Sequence, residues 1–226
     1  ENREKGGVFL KITIEWTYHH KGVETVFRSE EMPPAHALSV AEELMKTGRT
    51  KNILFLDEHD STWTLKEIKK YIKEMETEPS NVTVYFDGGF NLESRISGLG
   101  CVIYFEQNGK KYRLRKNLTL NGLSSNNEAE YAALHFSVQE LESLGVHHQT
   151  VRFIGDSQVV INQMSGEWPV YEKELMNWAD RIDEYLNRLG IKPEFEPVSR
   201  KENEEADRLA NQALDDIEID GKIELQ

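Results

Sequence analysis

Hydrophobic and polar residues alternate from the first apolar stretch onward. In "GVFLKITIEWTY" (7–18) the step of two predicts a strand. "HHKG" reads as a turn and "VETVFRSEE" as the returning strand of a hairpin. The pattern then changes to helical spacing in "PPAHALSVAEELMKTG", with Pro34 near its start and Gly48 at its end. "KNILFLDE" predicts a third strand. "STWTLKEIKKYIKEMET" predicts a second helix, where Thr64 and Glu67 stand at capping-box spacing. The order is ββαβα, a small α+β domain over residues 1–76 with no recognisable catalytic motif. The polar stretch "KEMETEPSN" breaks both patterns and supplies a linker at 77–81.

Beyond the linker the elements are longer. Three strands are expected at Val82–Asp87, Gly98–Gln107 and Lys111–Asn121, with Gly109 turning the second into the third. A helix follows from about Asn127 to Leu144, then a fourth strand in "TVRFIGDS" and a short helix from Gln158 to Met164. A long amphipathic helix in "YEKELMNWADRIDEYLNRLG", a fifth strand in "KPEFEPVSR" and a last helix in "NEEADRLANQALDD" complete the pattern. Trp168 and Trp178 flank the start of the long helix and are expected in the core. The order βββαβααβα predicts a mixed five-stranded sheet flanked by helices over residues 82–216, an α/β domain, with 217–226 as a tail.

Composition narrows the classes. The chain has 226 residues, 38% hydrophobic and 30% charged, which suits a packed core. No run reaches the length of a membrane span. "ENREKGG" shows no apolar signal segment, and the single cysteine, Cys101, excludes an internal disulfide framework. Together these lead to the expectation of a cytoplasmic protein. The net charge is −13, of which −3 falls in residues 1–80, −8 in 81–216 and −2 in the tail. Such a balance argues against a nucleic-acid binder that relies on a basic face. Acidic residues have another use, in binding divalent cations.

Four of them have telling positions. In "NVTVYFDGGFN", Asp87 stands at the expected strand tip, before Gly88 and Gly89, which would let backbone or substrate approach closely. Asp156 ends the fourth strand just before a helix, where open α/β sheets place ligand sites. Glu130 lies on the helical stripe of Leu134, Val138 and Leu141, and Asp207 on that of Ala210 and Leu214. Singly, each has a plain reading: a turn former, a helix N-cap, a half-exposed side chain, and an ion pair with Arg200 or Arg208. Together they form a set whose mutual repulsion divalent ions would relieve. Hard oxygen ligands suit Mg²⁺ or Mn²⁺, and two such ions can clamp a phosphoryl displacement.

At these residues the chain resembles type 1 ribonuclease H, whose fold also occurs in reverse transcriptases. "YFDGG", "SSNNEAEY", "GDSQVVINQ" and "NEEADRLANQAL" carry the resemblance in the family's order, across about 60% of the chain. The resemblance implies an endonuclease, a hydrolase that cleaves the RNA strand of RNA–DNA hybrids with two divalent ions, magnesium or manganese. It implies Asp87, Glu130, Asp156 and Asp207 as the catalytic, metal-binding acids. It further implies substrate contacts from Ser125, Asn126, Asn127 and Gln158, with Gly88 and Gly89 beside them and Arg200 where many members have histidine. Glu93 stands where an asparagine is common, and the basic protrusion of some members is missing. A catalytically weak or inactive nucleic-acid-binding protein on the same fold is therefore the alternative. The basic strand "KKYRLRKN" (110–117) is either a charge-protected edge or a phosphate contact. Lys66, Lys69, Lys70 and Lys73 share a helix face, read as solvated. Residues 1–80 do not match the family's N-terminal hybrid-binding domain. No obligate protein partner is evident.

Overall fold

The computed structural model describes residues 10–225. The start of the expected first strand, residues 7–9, and the "ENREKGG" segment lie outside the described residues. The chain divides at Thr77/Glu78 into two compact units.

In the N-terminal unit, β1 (Thr13–His20) and β2 (Val23–Arg28) form the expected hairpin. Its turn is tighter than "HHKG". Lys21 and Gly22 both take positive φ (49° and 82°), as a two-residue hairpin loop requires. His19 and His20 therefore remain in the strand. Helix α1 (Pro34–Lys46), β3 (Thr50–Leu56), the two-residue β4 (Thr62–Trp63) and α2 (Leu65–Thr77) follow. The sheet is antiparallel in the order β2-β1-β3-β4. Ile12, Ile14, Ala37, Ala41, Phe55 and Ile68 form its buried core. The capping box closes as read: Thr64 N–H donates to Glu67 Oε2 at 2.7 Å, and Glu67 N–H to Thr64 Oγ1 at 3.3 Å. On the lysine face, Lys69 pairs with Glu42 and Lys70 with Glu74.

The C-terminal unit is a mixed α/β sheet with helices. Its strands are β5 (Ser80–Asn91), β6 (Ile96–Gln107), β7 (Lys110–Asn121), β8 (Thr150–Gly155), β9 (Lys192–Pro197) and β10 (Asp220–Leu225). The helices are α3 (Asn126–Ser143), α4 (Gln158–Met164), α5 (Lys173–Leu189) and α6 (Glu204–Leu214). The order across the sheet is β10-β7-β6-β5-β8-β9, with β5–β8 and β8–β9 parallel and the other pairs antiparallel. This is one strand more than expected. The segment read as a tail returns as β10 and pairs with β7 from Asp220↔Lys116 to Leu225↔Lys111.

Helix packing explains the small residues of the central strands. A Cβ on Gly98 would lie 2.0 Å from the Ala210 carbonyl oxygen, and one on Gly100 would lie 2.4 Å from that of Ala206. Only glycine lets α6 come this close to β6. Trp178 packs against the core, but Trp168 is 47% exposed, contrary to expectation. It lies in the connection between α4 and α5 rather than under a helix.

Candidate active site

Strand β5 does not stop at Asp87. It continues to Asn91 because Gly88 and Gly89 pair with Leu99 and Gly98 of β6. The tip expected from sequence exists only on the other side, where the parallel ladder to β8 ends at Tyr85↔Ile154. Beyond that pair β8 gives way to α4 at the carboxyl end of the parallel strands, where open α/β sheets place ligand sites. Asp87 and Asp156 each stand two residues past that last pair.

Neighbours release Asp156 and Glu130 from their plain readings, whereas Asp207 keeps its ion pair with Arg200. Ser157 caps α4 by accepting from Val160 N–H, so Asp156 is not used as the cap. Ser125 caps α3, and the Glu128 carboxylate takes Ser124 N–H at 2.7 Å. Glu130 is left one turn in, on the same buried stripe as Leu134, Val138 and Leu141. Asp87, Glu130 and Asp156 each offer an oxygen within 4.8 Å of the other two. Asp87 and Glu130 are each 7% exposed.

Burial is the main cause of two large shifts, and charge adds to it. Burial, followed by the Asp156 and Asp207 carboxylates, pushes Asp87 up to about 7. Burial, followed by Asp87 and Asp156, pushes Glu130 up to about 9, against a bond from the Gly88 N–H and the Arg200 charge. Glu130 Oε2 is buried without a hydrogen-bond partner. Three clustered carboxylates with an unpartnered buried oxygen form a hard-oxygen donor set, which fits a divalent cation such as Mg²⁺ or Mn²⁺.

The other expected residues are placed differently. Asp207 lies beside this trio but outside its tight group. Arg200 Nη2 donates to its Oδ1 at 2.7 Å, and Asn211 Nδ2 to its Oδ2 at 3.1 Å. Asn126 and Gln158 are exposed in the first turns of α3 and α4, and Asn127 is half-buried. Gly88 and Gly89 allow a close approach, here by helices. A Cβ on Gly88 would lie 2.2 Å from the Ala129 carbonyl carbon and oxygen, and one on Gly89 would meet Leu214 at 3.3 Å. Glu93 is exposed in a turn closed by Asn91 Oδ1, which accepts from Glu93 N–H at 3.0 Å.

One residue escaped the sequence reading. Asn203, 1% exposed, precedes α6 at a capping position but makes no side-chain cap. Its Nδ2 instead donates to Asp156 Oδ1 at 2.8 Å and to the Phe86 carbonyl at 2.9 Å. It therefore ties the start of α6 to β5 and aims Asp156. Its place before "EEAD" carries no local sign of a partner 47 residues away. The basic strand also proves to be internally paired: Glu205 takes Arg113 and Arg115, Glu140 and Asp220 take Lys116, and Glu224 takes Lys110.

Comparison with known proteins agrees with this geometry. The family model described as "Reverse transcriptase-like" matches residues 85–213. An uncharacterized protein of Bacillus subtilis, YpeP, is 41% identical over 91% of this chain and 88% of its own length. Ribonuclease HI of Halobacterium salinarum is 32% identical over 60% of this chain and 65% of its own. A bifunctional protein of Mycobacterium tuberculosis, Rv2228c, is 31% identical, and the match spans only 35% of its length. Among solved structures, RNase H1 from Halobacterium salinarum superposes with a TM-score of 0.50 at 30% identity, covering 60% of this chain and 98% of that one. LC11-RNase H1, solved in complex with RNA/DNA hybrid, gives 0.53 at 26% identity, with the same coverage. The chain belongs to the reverse transcriptase-like family and, within it, to the type 1 ribonuclease H group. Membership and the buried acid cluster together define a nuclease, a hydrolase of a family that normally uses divalent metals. No helix among the described residues is long and apolar enough to cross a membrane.

Proposed function

We propose that the chain is an endoribonuclease that cleaves the RNA strand of RNA–DNA hybrids with Mg²⁺ or Mn²⁺. The observation that carries this reading is the trio Asp87, Glu130 and Asp156, within 4.8 Å of one another in a member of this family. These three acids, with Asp207 at the rim, would hold two ions, which when bound supply an activated water and stabilise the leaving oxygen. The protein's own part is to keep the acids in place. Asn203 holds Asp156, Gly88 N–H bonds Glu130, and Arg200 steadies Asp207 through the 2.7 Å pair. Exposed Asn126 and Gln158, with Asn127, offer amides suited to minor-groove edges and the 2′-hydroxyl that marks RNA. The hybrid bound to LC11-RNase H1 supports the same substrate here.

A binding module without catalysis has no use for buried, mutually repelling carboxylates, which are costly unless they hold metal. The trio Asp87, Glu130 and Asp156 therefore favours the enzyme. The test is a substrate panel: labelled hybrid, single-stranded RNA and duplex RNA, each with Mg²⁺ and with Mn²⁺. Cutting confined to the RNA strand of the hybrid is expected. Equal cutting of single-stranded or duplex RNA would overturn the substrate. A folded protein that binds hybrid and cuts nothing would overturn the activity.

A further inference from the structure

Sheet edges need protection from pairing with other chains. Three of the four edges here have it. Strand β4 is two residues long, β9 contains Pro193 and Pro197, and β10 carries a central lysine, Lys222. Strand β2, "VETVFR", has neither proline nor lysine, and its six-pair register with β1 is unbroken by a bulge. Its two charges, Glu24 and Arg28, are opposite in sign and so complement those of a second copy. All its residues are exposed, Val23 at 62%, Val26 at 60% and Phe27 at 47%.

The direction of its backbone can be worked out. Ser29 N–H donates to the Ile14 carbonyl at 2.9 Å, so residue 29 turns its backbone toward β1. Alternation gives Phe27, Thr25 and Val23 the same direction and turns Glu24, Val26 and Arg28 outward. These three have no strand beside them among the described residues.

We propose that β2 docks against β2 of a second copy of this chain, antiparallel about a two-fold axis at Val26. Only same-parity registers bring the outward residues face to face. The one centred on Val26 uses all three, with Glu24 opposite Arg28 twice and Val26 opposite itself. It forms about six backbone hydrogen bonds. The interface is isologous, self-complementary in charge, and joins two four-stranded sheets into one. The groups it recruits are loosely held in the single chain. Arg28 pairs with Asp60, with side chains 53% and 77% exposed, and Glu24 pairs with Lys51, 52% and 54% exposed, and with His19, 39% exposed. Such pairs contribute little and exchange readily.

Sedimentation equilibrium of the full chain, over a concentration series, tests the proposal. A reversible dimer is expected. Val26→Lys should weaken it by about tenfold or more, since it sets like charges opposite each other. Glu24→Arg and Arg28→Glu should each weaken it, and the two together should restore it. These positions are exposed, so circular dichroism should show all variants folded. A chain that stays monomeric throughout would overturn the proposal. So would a dimer indifferent to Val26→Lys, or a double reversal no stronger than the single ones.

Discussion

Glu130→Gln should stabilise the metal-free protein, increasingly so as pH rises. Glu130 is buried beside two carboxylates and its pKa is pushed up to about 9, against 4.5 when free. A raised folded-state pKa gives stability that is complete below the unfolded value and is lost as pH climbs toward the folded one. Between pH 5 and 9 the unfolded chain releases this proton and the folded chain keeps it. The loss is about 1.4 kcal/mol per pH unit, or roughly 3 kcal/mol by pH 7. Glutamine keeps the shape and cannot ionise, so the variant escapes the loss. Asp87, pushed up to about 7, acts in the same direction in both proteins, so the difference between parent and variant isolates Glu130. The assay is denaturant unfolding of both proteins in chelator at pH 5.5, 7 and 8.5. The stability difference should grow by about 1.4 kcal/mol per unit. Divalent ions should raise the parent's stability and close most of the gap. A difference that stays constant with pH would refute the buried, mutually repelling acids on which the site is built.

Other outcomes follow from the same geometry. Asp87→Asn should keep the fold and lose about 10³-fold or more in cleavage rate, measured in single turnover. Asn203→Ala should cost about 1–3 kcal/mol in unfolding experiments and lower kcat more than it raises KM, because it frees Asp156 and strands the Phe86 carbonyl. Gly88→Ala should cost about 3 kcal/mol or more, or prevent folding, since its Cβ would lie 2.2 Å from α3 backbone.

Much of the fold was readable because its signals are local. Alternation marked the long strands, and capping residues and glycines bounded the helices. The apolar stripe of α3 carried Glu130 where the structure buries it. What was missed depends on partners distant in sequence. Strand β10 is short and half its residues are charged, and it is a strand only because β7 offers an edge. Asp87 read as a strand tip because two glycines follow it, but pairing with β6 carries the strand onward. Those glycines answer to α3 and Leu214, which sequence spacing does not place. Asn203 has no local signal, and its role depends on Asp156, 47 residues away, being brought beside it. The basic run from Lys110 looked available for phosphates until Glu205 folded over two of its arginines. The acids themselves were legible because their positions, at strand ends and on apolar stripes, are costly without a purpose.

The central claim is that these carboxylates make a metal-dependent nuclease. Its most direct test is the rate of hybrid cleavage by the chelator-treated protein, titrated with Mg²⁺ and with Mn²⁺, beside Asp87→Asn. The expected result is no cutting in chelator, a saturable rise with either ion, and almost none in the variant. Cutting that persists in chelator, or a variant that cuts as fast as the parent, would contradict it.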